Sequence, residues 1–299
     1  MNIPVSPQPA LQVAAVQSLG GHLGPNRLRR LLRQPLAATG LAILLLVCGG
    51  ALAGQWWSPH DPYAQLLTDR LQPPSADHWF GTDQLGRDIF SRVLHGARYT
   101  LLIVALAAIS VAPIGIVVGL CAGYFGGFIE STLMRVTDIF MAFPRLLLAL
   151  ALAAALGPGL ENAVLAIAIS AWPPYARQAR AEAKRLRERE YIWAARLAGA
   201  SHGRIIYRHL LPMCASSALV RLALDLAGII LIAAGLGFLG LGAQPPAPEW
   251  GAMVAAGRQI LSPYWWVATL PGVAIFLISL ALNLVGDGLR DALDPRAEH

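Results

Sequence analysis

An all-α, polytopic membrane fold with six transmembrane helices is what this sequence predicts, and three observations predict it. The 299 residues are 56% hydrophobic and only 13% charged, with a mean hydropathy of +0.54, whereas a soluble domain carries about a quarter charged residues. The apolar residues gather into runs near 36–54, 98–122, 134–157, 161–177, 214–241 and 266–287, and roughly 20 apolar residues cross a bilayer as a helix. The polar residues between these runs are unevenly distributed, above all in the stretch from Arg177 to Pro212, which holds Lys184 and eight arginines.

In chain order, residues 1–35 read as a polar cytoplasmic tail ending in Arg27, Arg29, Arg30 and Arg33. The run 36–54 has no small-residue cleavage site after it, so it is expected to stay as an anchor. Residues 55–97 are turn-rich, with Pro59, Pro62, Pro73 and Pro74, and Trp56 and Trp57 suit a membrane interface. A second loop, 242–265, leads into Tyr264, Trp265 and Trp266, another aromatic girdle. Pro212 ends the basic stretch before the fifth run.

Positive charge sets the orientation. With both ends inside, sixteen of the 23 Lys and Arg residues fall on cytoplasmic segments and five outside, while Arg145 and Arg221 lie within runs. Cytoplasmic loops collect Lys and Arg, so both termini and residues 178–212 are placed in the cytoplasm. That use of the charge leaves no case for nucleic acid as a partner; the partner it fits is the lipid bilayer.

Several chemistries have no residues to carry them. Cys48, Cys121 and Cys214 are isolated, and His22, His60, His78, His95, His202, His209 and His299 are scattered, so no metal site is expected. No G-x-S-x-G elbow occurs, and no catalytic residue is assigned. No G-x-x-x-x-G-K-[ST] occurs either; Lys184 follows Ala183, not glycines that would let backbone N–H groups converge on a phosphate. Transport driven by ATP therefore needs a separate ATPase subunit.

The basic stretch is where such a subunit would dock. Residues 178–190 suit an exposed helix, with Lys184 and Glu188 spaced to pair at i,i+4. Tyr191 opens the next segment, in which Ala194, Ala195, Ala198, Gly199 and Ala200 form a face free of bulk, and Leu211 and Pro212 close it. The alternative is a solvated basic loop that only orients the protein.

Tyr191-Ile-Trp-Ala-Ala-Arg-Leu-Ala-Gly-Ala-Ser-His, followed by Leu210-Leu-Pro212, resembles the EAA loop of binding-protein-dependent ABC importer permeases. Ala194, Ala195, Gly199, Leu211 and Pro212 match its pattern, whereas Trp193 stands at the glutamate position and His209 at an isoleucine position. Phe80–Arg92, Gly123–Gly127, Phe238–Pro246 and Asn283–Pro295 are similar to the dipeptide/oligopeptide/nickel subfamily, in its C-type subunit. The resemblance implies the type I ABC importer transmembrane fold, with the permease domain over 98–290, the first helix and an extracytoplasmic loop over 36–97, and a cytoplasmic tail over 291–299. It also implies a homologous second permease, two ABC ATPase subunits holding ATP and Mg, an extracytoplasmic solute-binding protein and a bacterial inner membrane. Peptide import by alternating access is the expected function, with nickel or a metal chelate as the alternative cargo.

Three polar residues within the spans are candidates for the translocation path. Ionisable groups there are costly and mark function by default. Asp225 stands one helical turn after Arg221, so either the two satisfy each other or Asp225 faces a cationic group of the solute. Asn283 is suited to hydrogen bonding between helices. An intramembrane aspartyl protease using Asp225 and Asp287 lacks its G-x-G-D pattern, since Leu284 replaces the first glycine. A secondary transporter would also bury charge but needs no docking loop.

The topology has a direct check. In a variant lacking Cys48, Cys121 and Cys214, single cysteines at 75 or 247 should react with an impermeant thiol reagent in intact, outer-membrane-permeabilised cells. A cysteine at 187 should react only after the inner membrane is opened, and its labelling in sealed cells would overturn the orientation.

Overall fold

A computed structural model of the chain describes residues 34–293. The tail arginines Arg27, Arg29, Arg30, Arg33 and Arg296 lie outside the described residues, as do His22 and His299. Every regular element among the described residues is helical.

Helix α1, Pro35–Trp57, starts with proline at its first position, where the missing N–H costs nothing. Leu45, Leu46 and Leu52 face outward from it, more than 60% exposed, as a lipid-facing helix requires. Helix α2, Ile89–Phe125, begins well before the apolar run at 98 because Asp88 caps it, accepting from the Ser91 amide. At 37 residues it is about 55 Å long. Gly126 and Gly127, with φ of 71° and 53°, turn the chain into α3, Gly127–Met141.

The third apolar run does not make one straight helix. Helices α3 and α4, Arg145–Leu156, meet at 91° across Ala142–Pro144. Pro144 lacks an N–H and disfavours helical geometry at Phe143, which explains the break. The fourth run is likewise divided. Helix α5, Leu160–Ala171, has 12 residues, and α6, Pro173–Arg187, follows after Trp172.

Helix α7, Glu190–Leu197, and the short α8, His202–Ile205, lead through a π turn at Ile206–Leu210 into α9, Leu211–Phe238. Helix α10, Trp250–Gly257, and α11, Trp266–Leu293, complete the described chain. Among the described residues four helical segments can cross a membrane by length and composition, or five if the bent pair counts as one. The expectation of six spans is therefore not reproduced helix for helix, because Pro144 bends one segment and α5 is short.

Glycines decide how closely the helices approach. Gly115, Gly119 and Gly123 form one stripe on α2, and α6 lies directly on it. A methyl group added to Gly119 would meet the Ala179 Cβ at 2.6 Å, and one added to Gly123 would meet the Arg180 carbonyl at 2.6 Å. Such a small-residue stripe lets two backbones meet, the device membrane helices use in place of hydrophobic driving force. On its other side α6 is polar, and its apolar face of Ala176, Ala179, Ala183 and Leu186 is buried. The exposed helix expected over 178–190 is thus half-buried. Around it a core of Tyr175, Leu186, Ile192, Ile205, Leu210 and Cys214 joins the basic stretch to the membrane helices.

A second core, at the opposite end of α2, contains Ile89, Ile103, Trp250 and Trp266. Trp266, expected in an interfacial girdle, is instead buried and donates its indole N–H to the Thr82 carbonyl at 3.3 Å. Trp56, Trp57 and Trp265 are exposed, as a girdle requires.

Gly119→Val should cost about 1–3 kcal/mol by overpacking the seat of α6, read as reduced resistance of the purified protein to denaturant. Gly203→Ala, at a position with nothing within 4 Å of the added carbon, should leave that resistance unchanged.

Candidate coupling surface and embedded charge cluster

Helix α7 stands clear of the rest of the molecule on one face and is anchored through the other. Ile192 is fully buried and pins it to the core. The Arg196 guanidinium lies 5.4 Å from the Tyr124 ring centre and 5.3 Å from that of Trp193, a cation held between two aromatic faces. Tyr124, at the end of α2, also bonds through its hydroxyl to His202 Nδ1 at 2.8 Å. Trp193 therefore occupies the expected glutamate position as one wall of an arginine sandwich.

Of the residues expected to form the docking face, Tyr191, Ala194, Ala198, Gly199 and Pro212 are exposed, whereas Ala195, Ala200 and Leu211 are half-buried. The face is not free of bulk. Leu197, 88% exposed, and Trp193, 55% exposed, project from it. Exposed apolar clusters of this kind are uncommon away from interaction sites. Gly199 has φ of 81° and open space where a side chain would stand. The ring of His209 lies 6.2 Å from that of Tyr191, and the Tyr191 hydroxyl donates to Met213 Sδ at 3.5 Å. Burial raises the Tyr191 pKa, so its hydroxyl keeps its proton.

Arg177, Arg180, Lys184 and Arg187 of α6 are engaged, while Arg185 is exposed. Lys184 pairs with Glu130 of α3 at 2.8 Å, not with Glu188 as its spacing suggests. Arg180 Nε donates to the same carboxylate at 2.6 Å, and Arg177 pairs with Asp138 at 2.6 Å. Arg187 donates to the carbonyls of Gly123 and Tyr124, where the dipole of α2 ends.

Asp225 is engaged by other helices. Its Oδ1 accepts from Arg145 at 2.6 Å and its Oδ2 from the Tyr175 hydroxyl at 3.1 Å. The internal pair with Arg221 is not formed. The Arg221 guanidinium instead lies 5.5 Å from the Tyr175 ring centre. The i,i+4 spacing suggested that pair, but Arg145 and Tyr175 reach Asp225 from helices packed on α9. Asn283 is apart from this cluster, lining a cavity of about 400 Å³ with Leu231, Phe276 and Ser279, into which neither Arg221 nor Asp225 projects.

At the other end of α2 the segment Phe80–Arg92 folds as a unit. Asp83 accepts from the amides of Leu85 and Arg87 and from the Arg87 side chain at 2.7 Å. Arg92 donates to the Pro62 carbonyl at 3.0 Å. Glu249 caps α10 through the amides of Gly251 and Ala252, and burial pushes its carboxyl upward. His60 and His78, far apart in the sequence, meet beside Asp88. Nothing in their spacing signals this, because the chain returns to α2 through an irregular loop.

Two family models match the chain. Residues 115–299 match "binding-protein-dependent transport system inner membrane component", and residues 26–74 match "N-terminal TM domain of oligopeptide transport permease C". The chain is 46% identical over 88% of its length to the probable D,D-dipeptide transport system permease protein DdpC of Escherichia coli K12, covering 88% of that protein. It is 47% identical to the di/tripeptide transport system permease protein DppC of Pseudomonas aeruginosa, over 88% of this chain and 89% of that one. The nickel transport system permease protein NikC of Escherichia coli K12 is 45% identical, over 87% and 93%. A chain of the MetNI methionine ABC transporter in inward-facing conformations shares the fold, with a TM-score of 0.52, 21% identity, and coverage of 69% of this chain and 98% of that one. A helical bundle with several membrane-spanning segments, a basic loop exposing an apolar face and relatives that are all permease proteins have one reading: the chain is a multi-pass inner-membrane protein that belongs to the binding-protein-dependent transport system inner membrane component family.

Proposed function

We propose that the chain is one of two homologous permease subunits through which a peptide crosses the inner membrane, driven by two separate ABC ATPases that hold ATP and Mg. An extracytoplasmic binding protein delivers the solute, and both termini lie in the cytoplasm. The observation that carries this reading is the α7 surface, where Trp193, Ala194, Leu197 and Ala198 are exposed on a helix whose opposite side is fixed by Ile192 and Arg196. A surface held this firmly transmits a push from an ATPase to α2 through Tyr124 and to α9 through the π turn. Alternating access follows if that push tilts α2, α6 and α9 against the second permease.

Peptide is preferred as cargo because two relatives carry dipeptide or di/tripeptide in their names. The nickel permease is almost as similar, so uptake of labelled dipeptide against labelled nickel by the assembled transporter decides the cargo. In this reading Asp225 is a junction of α4, α6 and α9, while Arg221 and Asn283 are the path candidates.

Ala194→Trp tests the coupling surface with less backbone strain than a change at Gly199, whose φ of 81° disfavours any side chain. It should leave the protein inserted and folded while solute-stimulated ATP hydrolysis falls at least about tenfold, equivalent to roughly 1.4 kcal/mol of lost coupling. Wild-type stimulation would remove α7 from the contact.

The charge cluster gives a second expected result. Arg145→Leu leaves Asp225 without its cation and should lower stability by about 3 kcal/mol, whereas Arg221→Leu should cost about 1 kcal/mol, the loss of a cation–π contact. The double variant Arg145→Leu/Asp225→Leu should recover assembly and uptake. Denaturant titration with uptake assays separates these cases, and a folded double variant without uptake would make Asp225 a solute contact.

A further inference from the structure

Three segments of the chain converge at the N-terminal end of α2. His60 follows the exit from α1 at Ser58, His78 precedes the turn at Gly81, and Asp88 caps α2. The Nδ1 of His78 lies 3.0 Å from Asp88 Oδ1, and the Nδ1 of His60 lies 3.9 Å from the same oxygen. One ligand atom from each residue falls within 4.8 Å of the other two. The two imidazole rings stand 4.6 Å apart, tilted by 33°.

The hydrogen bonding divides Asp88 between two tasks. Its Oδ2 accepts from the Ser91 amide at 2.7 Å and from the Ser91 hydroxyl at 2.6 Å, which fixes the carboxylate plane. Its Oδ1 is left to the imidazoles. At 3.0 Å His78 is within hydrogen-bond distance of it, but His60 at 3.9 Å is not. His60 Nδ1 is shielded from solvent and has no hydrogen-bond partner, an unusual state for a buried polar atom.

A cation resolves what a proton cannot. With both Nδ1 atoms unprotonated, the two imidazoles and the carboxylate oxygen would offer three lone pairs to a cation lying among them. Ligands about 2.1 Å from a tetrahedral zinc ion stand roughly 3.4 Å from each other, between the two separations found here. Imidazole-rich donor sets suit zinc, nickel, cobalt and copper, whereas calcium and magnesium prefer oxygen. The His60 side chain is 38% exposed although its Nδ1 is shielded, so the ligand atom faces inward from a residue at the surface. The Ser91 bonds to Asp88 are the outer support such ligands normally have.

We propose that His60, His78 and Asp88 bind one zinc-type divalent cation, which clasps the exit of α1, the loop before Gly81 and the start of α2. The site lies at the end of α2 remote from α7, and its ligands are the same whether the cargo is a peptide or a metal. Its role is structural: the ion adds to the few hydrogen bonds that join these segments, such as that from the His60 amide to Ser91 Oγ at 3.3 Å and that from Arg92 to the Pro62 carbonyl.

The test uses the full chain in nanodiscs, with its affinity tag removed and His22 and His299 changed to alanine, stripped with EDTA and dialysed. Zinc titrated by calorimetry should bind one ion per chain, and cobalt should give the visible bands of a tetrahedral site. His60→Ala should weaken zinc at least about 100-fold, the upper end of what even a supporting residue costs, and abolish the cobalt bands. His60 is the variant of choice because Asp88→Asn also weakens the cap of α2. His95→Ala, whose ring bonds the Ser91 carbonyl, should bind zinc like the parent. Zinc should slow hydrogen exchange over residues 58–62 and 76–82 in the parent and not in His60→Ala. Substoichiometric zinc in the parent, or equal affinity in His60→Ala, overturns the site. Binding without slower exchange in those segments overturns the clasp.

Discussion

Backbone contact between α2 and α6 places everything else in this molecule. At Gly115, Gly119 and Gly123 there is no room for a side chain, so α6 lies against α2 along its whole apolar face. Lipid on either side of a membrane helix is as apolar as the helix, and close packing is what remains to hold two helices together. Because α6 is the first part of the basic stretch, this packing gives a strongly charged segment a rigid attachment. The segment's ion pairs contribute less. Arg177 and Asp138 are each about half exposed, and exposed pairs are worth about 0–1 kcal/mol. A misfit in the glycine stripe, at about 1–3 kcal/mol, outweighs any one of them.

The basic stretch therefore has two kinds of residue. Arg177, Arg180 and Lys184 are matched to the acids of α3, and Arg187 to the carbonyl end of α2. Arg196 is held by aromatic rings. Arg185, Arg189, Arg204 and Arg208 stay exposed, and among them Trp193 and Leu197 expose apolar surface beside small alanines.

Much of this was legible in the sequence, and what was not has a physical reason. Composition and run length disclosed the helical membrane class, and the density of arginine disclosed the loop. Pro144 was visible, but a proline alone does not tell a kink from a right-angle break, which depends on what α3 and α4 pack against. The partner of Asp225 was misjudged because i,i+4 spacing makes a pair available without making it best. Arg145, distant in sequence, approaches from another helix, and Tyr175 binds the second oxygen. The glycine stripe at i,i+4 spacing was readable in principle, since the same three positions that admit α6 are periodic in the sequence. The meeting of His60, His78 and Asp88 was not, because irregular loops have no period from which to infer contact.

The length of α2 connects these features. It is one helix of 37 residues, held at one end by the Asp88 cap and at the other by Tyr124, Arg187 and the Arg196 sandwich. Pro113 lies inside the helix and removes one bond of the helical ladder, so the two ends are joined by a rod with one weak point. The loops before α2 are fixed to its N-terminal half through Asp83, Arg92 and Asp88. Trp193 serves this arrangement well. The Arg196 guanidinium lies over the rings of Trp193, on α7 itself, and of Tyr124, at the end of α2, so the contact that ties α7 to α2 is the one with Tyr124. Trp193, at the family's glutamate position, therefore supports the Arg196 side chain, and Tyr124 makes the link to α2.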